Sequence, residues 1–583
     1  MPKAAGPVPG NRQAVPIFPI LAGAVLAVVV MLLFLIANRG AYEGYFSGDD
    51  LDNLSWTRDI GVAGFAKALL APQFFPNNFR PAGHFFYHLM DRAAGLEYRW
   101  YVAAIHLLHF LNVWLVWMLA RRLGLKAAAA TAGALFFAFH MAVFDAYWKP
   151  MYVFDLLCAS LCLLSVLAYA RGRWIASLIL FWLAYKAKEV AVMLPAVLAL
   201  YECWFGQRRW KRLAPFFAVS LLFGLQALVV PHEGGTDYAL RVSLEAQWKT
   251  LGFYSSQLLL VPYLGLAVAG LPLVCRDRRL YFGLAAMGLL LAPMLLLPGR
   301  LYGAYLYVPL AGAAVAFAAL VEQARSARAV ALVVMFFAIW IPWNYSRLRV
   351  NRRAALTLAG ENRAYVASLL RNRETLSRAR AVVYDGVPQG LHSWGIHGAV
   401  RYLFPSRKAV VCPIEDACAR TAFDSGSFAV LIWDRARREL LVLGPEPGAP
   451  AAAYIEIRGN PRQPFWQLEE GWGAWEQNFR WIRPYARARL WRPAQARWFE
   501  LVAHIGPQQI RDLGRTSLEV SVDGQVVGRR EFTSAVIETV RWKLPPASPG
   551  TVRVEFRVTP EYRTNPDAAP LGIPIAAFGF REN

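Results

Sequence analysis

Charge is scarce in this chain. Of its 583 residues only 17% are charged, and the acids are outnumbered, 39 Asp and Glu against 62 Lys and Arg. With 57% hydrophobic residues the chain is too apolar for a soluble protein of this size. No glycine-rich nucleotide loop and no nucleic-acid motif stands out. A net charge of +23 would suit a nucleic-acid partner if it were concentrated on one surface. Instead the bases sit in short loops between apolar runs: Arg121-Arg122, Arg171 with Arg173, Arg208-Arg209 with Lys211-Arg212, and Arg276 with Arg278-Arg279. That distribution reads as cytoplasmic loops under the positive-inside rule. The 21 Trp suit interfacial belts and a β-rich extramembrane part better than a nucleic-acid groove.

What is present in quantity is apolar sequence. At about 20 residues per crossing the runs predict about eleven spans, near 17–37, 101–120, 127–144, 152–170, 174–186, 190–205, 213–231, 251–273, 280–298, 304–321 and 329–345. The fifth and sixth are short and share the polar junction Lys186-Ala187-Lys188-Glu189. The first run is long, lacks a small-residue cleavage site and is followed by further spans, so it is read as a membrane anchor rather than a removed leader. With the N-terminus inside, the basic loops fall inside. The loop 38–100, the turn Phe139–Tyr152, the junction Lys186–Glu189, the loop Pro231–Lys249 and the turn Pro298–Tyr305 then share the outer face with everything after Tyr345.

That face holds the unusual polar residues. Tyr45-Phe46-Ser47-Gly48-Asp49-Asp50 follows the first run. Adjacent carboxylates raise each other's proton affinity and suit a general base or a cation site, or they form an acidic turn. The loop 38–100 is long for a membrane connection and is expected to carry helices or function. It ends in Asn77-Asn78-Phe79-Arg80-Pro81, followed by His84 and His88 at helix-face spacing, which fits either a metal pair or packing residues. The second outer turn runs His140-Met141-Ala142-Val143-Phe144-Asp145-Ala146-Tyr147-Trp148-Lys149-Pro150. Asp155 follows a turn into an apolar run, where an ionisable group marks a functional position by default.

The order Tyr45–Asp50, Phe79-Arg80-Pro81, His106–Asn112 running to Arg121-Arg122-Leu123, Lys188-Glu189 before Pro195, and Leu297-Pro298 with Arg300-Leu301-Tyr302 before Tyr305–Pro309 resembles the multispanning GT-C glycosyltransferases. The bacterial relatives of the protein O-mannosyltransferases are the nearest pattern, over roughly residues 15–345. The resemblance implies a bacterial inner-membrane enzyme that transfers sugar from a polyprenyl-phosphate donor to an exoplasmic lipid, polysaccharide or protein acceptor. It implies neither a nucleotide cofactor nor a nucleic-acid partner, and it leaves a divalent metal open. The family's base, an acid in the first outer loop, maps onto Asp49 or Asp50, with Asp50 taken first. In the second outer turn the family commonly has His-Pro and then an acid; here Met141 stands in place of the Pro and Asp145 supplies the acid. Asp145 either positions donor, shares a metal with Asp49, or pairs with Lys149.

The chemistry asks for the same residue types. An acceptor hydroxyl gives up its proton to a carboxylate, and a lipid phosphate leaving group calls for cations. Arg is suited because its fork pairs with two phosphate oxygens. Arg80 and Arg300 are the donor-phosphate candidates, with Lys186 and Lys188 behind them; interfacial snorkelling is the competing role. His84, His140, Lys149, Asp155, Glu189 and Tyr302 complete the candidate site. A sugar-lipid-binding scaffold and a polyprenyl-linked sugar transporter remain as other classes, the latter expected to place polar groups at midspan.

After Tyr345 the composition changes. The predicted domains are 1–346, transmembrane and catalytic; 347–380, a helical connector; 381–452, a small α/β unit; and 453–583, a β-sandwich. The α/β unit is expected from short strands at Ala381–Tyr384, Lys408–Val411, Phe428–Trp433 and Glu439–Leu443 with a helix at Trp394–Phe404. Cys412 and Cys418 are either an exported disulfide or two free thiols. From Ala453 short alternating strands argue for a sandwich. Glu470–Glu476, Phe479-Arg480-Trp481 and Leu571-Gly572-Ile573 resemble a jelly-roll-like accessory module of bacterial cell-surface sugar enzymes. Trp472, Trp475 and Trp481 there are either sugar-stacking platforms or core residues.

Overall fold

The computed structural model describes residues 17–73, 79–229, 240–405, 409–444, 451–565 and 568–582. Asn77, Asn78, residues 231–239 of the Pro231–Lys249 loop and Lys408 lie outside the described residues.

A multi-helical membrane region comes first. Among the described residues five helices are long and apolar enough to cross a bilayer: Tyr98–Arg122, Pro150–Ala170, Arg278–Leu295, Gly303–Gln323 and Ala327–Arg371. A sixth is added if Ala127–Ala138 and Met141–Trp148, bent by 40°, count as one span. Against the eleven or so spans expected, the described residues thus show five or six of this length and composition, and the first expected span, Ile17–Ala37, is a helix of 21 residues. Trp174–Ala187 has 14 residues and Leu194–Trp204 has 11, short of the roughly 20 a crossing needs. The run 251–273 is broken. Its helix stops at Leu258, and Leu260 and Tyr263 take positive φ, a conformation that ends an α-helix for any L-residue. The run near 329–345 and most of the expected connector are one helix of 45 residues, Ala327–Arg371, followed by a short separate helix, Arg373–Arg378.

The bundle closes through small residues. A Cβ on Gly133 would come within 2.5 Å of the Ala314 carbonyl, and one on Gly283 within 2.6 Å of the Gly312 carbonyl. Backbones therefore meet directly, the packing that stabilises helix pairs where lipid removes the hydrophobic drive. One set of polar groups inside the bundle forms a paired network. Tyr307 Oη meets His109 Nδ1 at 2.7 Å and Asn112 Nδ2 at 3.2 Å, and Ser160 donates to Asn112 Oδ1 at 2.7 Å. These groups rank as satisfied bundle residues.

The loop 38–100 carries three helices, Asp50–Thr57, Val62–Leu70 and Pro81–Ala94. Beyond the long helix, β1 (Ala381–Asp385), β2 (Val410–Pro413), β3 (Phe428–Asp434) and β4 (Glu439–Leu443) form a sheet in the order β2-β1-β3-β4, with Ser393–Leu403 as a helix beside it. β1 and β3 are buried along their whole length, as strands covered on both faces must be. Cys412 and Cys418 are disulfide-bonded.

The last region is a nine-stranded sheet. Its strands are β5 (Tyr454–Glu456), β6 (Leu468–Trp475), β7 (Arg480–Arg492), β8 (Trp498–Ile505), β9 (Thr516–Val522), β10 (Gln525–Phe532), β11 (Val536–Lys543), β12 (Gly550–Thr559) and β13 (Pro574–Arg581). The main path is β10-β9-β12-β7-β13-β8-β11, with β5 on β13 and β6 on β7. The two ends of that path approach each other: Arg530 in β10 pairs with Glu538 in β11 at 2.7 Å. A Cβ on Gly528 in β10 would lie 2.0 Å from the Trp542 ring in β11. The result is a nearly closed antiparallel module rather than two facing sheets. In-and-out alternation is the same for both, so the strand pattern alone did not separate them. Trp472 and Trp475 are buried, their Nε1 atoms donating to the Arg487 and Ile457 carbonyls. They are core residues and no sugar platform, and Trp481 is half-buried, stacked on Tyr562.

Candidate active site

The two adjacent carboxylates have opposite environments. Gly48 turns the chain with φ of +53°, and Asp50 opens the helix Asp50–Thr57. Asp50 is fully buried; its Oδ2 accepts from the Ser47 N–H at 2.9 Å and its Oδ1 from the Tyr87 hydroxyl at 2.6 Å. Burial pushes the Asp50 carboxyl up to about 7; the Tyr87 and Ser47 hydrogen bonds pull it back, and the Asp49 charge adds to the rise. Asp49, at the N-cap position, is exposed and spends no side-chain bond on the cap.

A pH dependence follows. Because the folded-state value of Asp50 lies above the ordinary 3.8, the native loop binds this proton more tightly than the unfolded chain does. Its stabilisation is full below about pH 4 and is lost as pH rises through about 7. Thermal unfolding of the purified protein is therefore expected at a lower temperature at about pH 8 than at about pH 5.5. Asp50→Asn, neutral throughout, should shrink that difference; an unchanged difference would remove Asp50 as its source.

Against this loop lies the second turn. Met151 Sδ would be 2.8 Å from a Cβ on Gly48, and Asp145 pairs with Lys149 at 2.8 Å. Four residues past Met151, Asp155 is buried and takes both of its bonds from Lys188 Nζ, at 2.7 and 2.6 Å. Four helical residues rise about 6 Å, so one turn of chain connects the acidic loop to a group of cations. Lys188 Nζ sits 4.3 Å above the Tyr305 ring. Arg300 donates from Nε and Nη2 to the Tyr305 hydroxyl, at 3.0 and 2.9 Å. Arg80 pairs with Glu189 at 2.8 Å and lies 5.5 Å from the Phe154 ring. Tyr302, 44% exposed, flanks Arg300 at 5.4 Å. Lys188 and Arg300 thus contact the Tyr305 phenol directly, with the charges of Asp155 and Arg80 near enough to act on it.

Other predicted residues lie elsewhere. Lys186 Nζ donates to the Ala71 and Gln73 carbonyls at 2.7 and 3.0 Å, anchoring the backbone just after the helix Val62–Leu70. His140 Nε2 meets the Leu258 carbonyl at 2.8 Å, and its Nδ1 accepts from the Ala142 N–H. His84 spans from the Arg80 backbone to Asn53 Oδ1, and His88 Nδ1 contacts the Thr57 carbonyl. Burial, with the Arg80 charge adding to it, holds His84 down at about 3, which fits a neutral packing residue. Among the described residues no group of three or more His, Cys, Asp or Glu is placed to hold a metal.

Sequence reasoning did not single out Tyr87 and Tyr305, the phenols at the two centres. Tyr87 lies between the two histidines, and Tyr305 stands in a quoted motif; an aromatic in an aromatic-rich stretch carries no local mark of its partner. It also missed the contribution of the distant α/β region. The Gly390 carbonyl accepts from the Gly48 N–H at 2.9 Å. Cβ atoms on Gly395 and Gly398 would come within 2.5 Å of the Gly48 carbonyl oxygen and 2.1 Å of the Asp52 nitrogen. The helix Ser393–Leu403 therefore rests directly on the backbone of the acidic loop.

No family model and no curated protein matches the chain. Among solved structures it is similar to ArnT from Cupriavidus metallidurans bound to undecaprenyl phosphate, at 13% identity and TM-score 0.42, covering 75% of this chain and 100% of that one. It is also similar to the arabinofuranosyltransferase AftD from Mycobacteria, at 14% identity and TM-score 0.42, covering 95% of this chain and 58% of that one. The arabinosyltransferase EmbB from Mycobacterium smegmatis gives 14% identity and TM-score 0.33, with 100% and 65% covered. A likeness at this level says nothing by itself of substrate or chemistry.

Proposed function

We propose that this chain is an integral-membrane glycosyltransferase that moves a sugar from a polyprenyl-phosphate donor to a lipid, polysaccharide or protein acceptor on the non-cytoplasmic side. The observation that carries the reading is an exposed carboxylate with no cap bond, Asp49, on a loop that packs against Met151, four residues ahead of the Asp155 that holds Lys188 beside Tyr305 and Arg300. Asp49 is the base. The acceptor oxygen bonds to the anomeric carbon as its proton passes to the Asp49 carboxylate. The bond from that carbon to the phosphate oxygen breaks, and the phosphate leaves with the electron pair, its charge held by the cations. Asp50, with both oxygens engaged, holds the loop. Asp155 and Glu189 keep Lys188 and Arg80 in place. The Cys412–Cys418 disulfide supports an oxidising, extracytoplasmic compartment for the C-terminal regions.

Arg300 tests the donor side. A charge-assisted contact to phosphate is worth about 1.5–3 kcal/mol. Arg300→Ala should therefore weaken use of a polyprenyl-phosphate sugar by about ten- to a hundredfold at equal protein level, read as kcat/KM with purified donor. Arg300→Lys should restore only part, since a point charge does not reproduce the fork. Tyr305→Phe separates the roles. If it reproduces the whole Arg300→Ala loss, Arg300 serves Tyr305 rather than phosphate.

A further inference from the structure

The helix Ala327–Arg371 emerges from its apolar stretch with Trp343 and Tyr345 exposed, aromatics at the level where membrane meets water. Just beyond them a groove of about 650 Å³ opens between this helix and Gln389. Its polar lining is Ser346, Arg349, Arg353, Thr357 and Gln389, and it contains no carboxylate. Arg349 and Arg353 are one helical turn apart on the groove-facing stripe, both exposed. Among the described residues neither has an ion-pair or hydrogen-bond partner. Gln389 precedes Gly390, whose carbonyl holds the Gly48 N–H next to Asp49. Asn362, further along the same helix, donates to the Phe46 carbonyl at 2.9 Å.

Two guanidinium forks in one groove match the oxygens of a phosphate, with hydroxyl and amide donors beside them. The three apolar lining residues, Val350, Ala354 and Leu358, suit the start of an acyl chain. We propose that this groove is a second phosphate site, separate from the Arg80–Lys188–Arg300 group, and that it seats the phosphomonoester headgroup of a membrane lipid beside the Asp49 loop. The site stands on its own lining; only its relevance to transfer rests on the glycosyltransferase reading.

Native mass spectrometry of the full chain in neutral detergent tests it, with short-chain phosphatidic acid, phosphatidylcholine of the same tails, and inorganic phosphate as probes. Phosphatidic acid should bind at least about tenfold more tightly than either other probe. The double variant Arg349→Gln with Arg353→Gln should lose that preference while its unfolding temperature holds, and the double Lys variant should keep part of it. Arg80→Gln with Arg300→Gln should leave the preference intact. The proposal is overturned if phosphatidylcholine binds equally, if inorganic phosphate binds as tightly as the lipid, or if only the Arg80 and Arg300 changes abolish binding. In the last case donor recognition survives and the groove does not; loss of donor use with the groove's preference intact would be the converse.

Discussion

Asp49→Asn is expected to cut turnover by about 10²–10⁴-fold, the usual contribution of a positioned general base. Asn is nearly isosteric but cannot take the acceptor's proton. The side chain is exposed and makes no cap bond, so expression, unfolding temperature and donor binding should stay at the wild-type level. Asp50→Asn disturbs a buried pair of hydrogen bonds and should lower stability at acid and neutral pH together with activity. Turnover at constant donor binding, measured beside a melting curve, separates the two. Full activity in Asp49→Asn would remove the base from this position.

Arg480→Met should produce the largest loss of stability. Arg480 and Asp385 form an ion pair with both side chains fully buried. Asp385 also accepts from the Trp475 N–H at 2.8 Å, and Arg480 donates to Gln463 Oε1 and the Gly473 carbonyl, both at 2.7 Å. Removing the guanidinium strands a buried carboxylate, which costs about 3–5 kcal/mol. Thermal unfolding followed by tryptophan fluorescence should show it, and pairing the change with Asp385→Asn should recover part. A loss as large in the double variant as in the single one would mean that Arg480 acts through packing rather than charge.

Much of the fold was legible because periodicity and apolar length are local. The helices, the four strands of the α/β sheet and the alternating strands after Ala453 all announce themselves. Whether a run crosses a bilayer is less local: Leu260 and Tyr263 take positive φ with no glycine to signal it. Closure of the last sheet depends on Gly528 meeting Trp542, a contact between strands that alternation does not encode. In the site, residue types were readable and partners were not. Neighbouring residues on a helix point about 100° apart, so Asp49 and Asp50 look alike in sequence while one meets Tyr87 and the other meets solvent. Asp145 with Lys149 was visible as a spacing; Asp155 with Lys188 and Arg80 with Glu189 were not.

The glycines that press the helix Ser393–Leu403 onto the acidic loop also impose an order of assembly. The Gly48 amide finds its partner in Gly390, about 340 residues downstream, which at 5–20 residues per second is roughly 20–70 s of synthesis. Until then the nascent chain has a membrane bundle and an acidic loop without its lid of backbone. The proposed catalytic carboxylate thus reaches its working position only after the distal region has been made, delivered to the same side of the membrane and folded. A chain stalled or cleaved before that point would sit in the membrane unarmed.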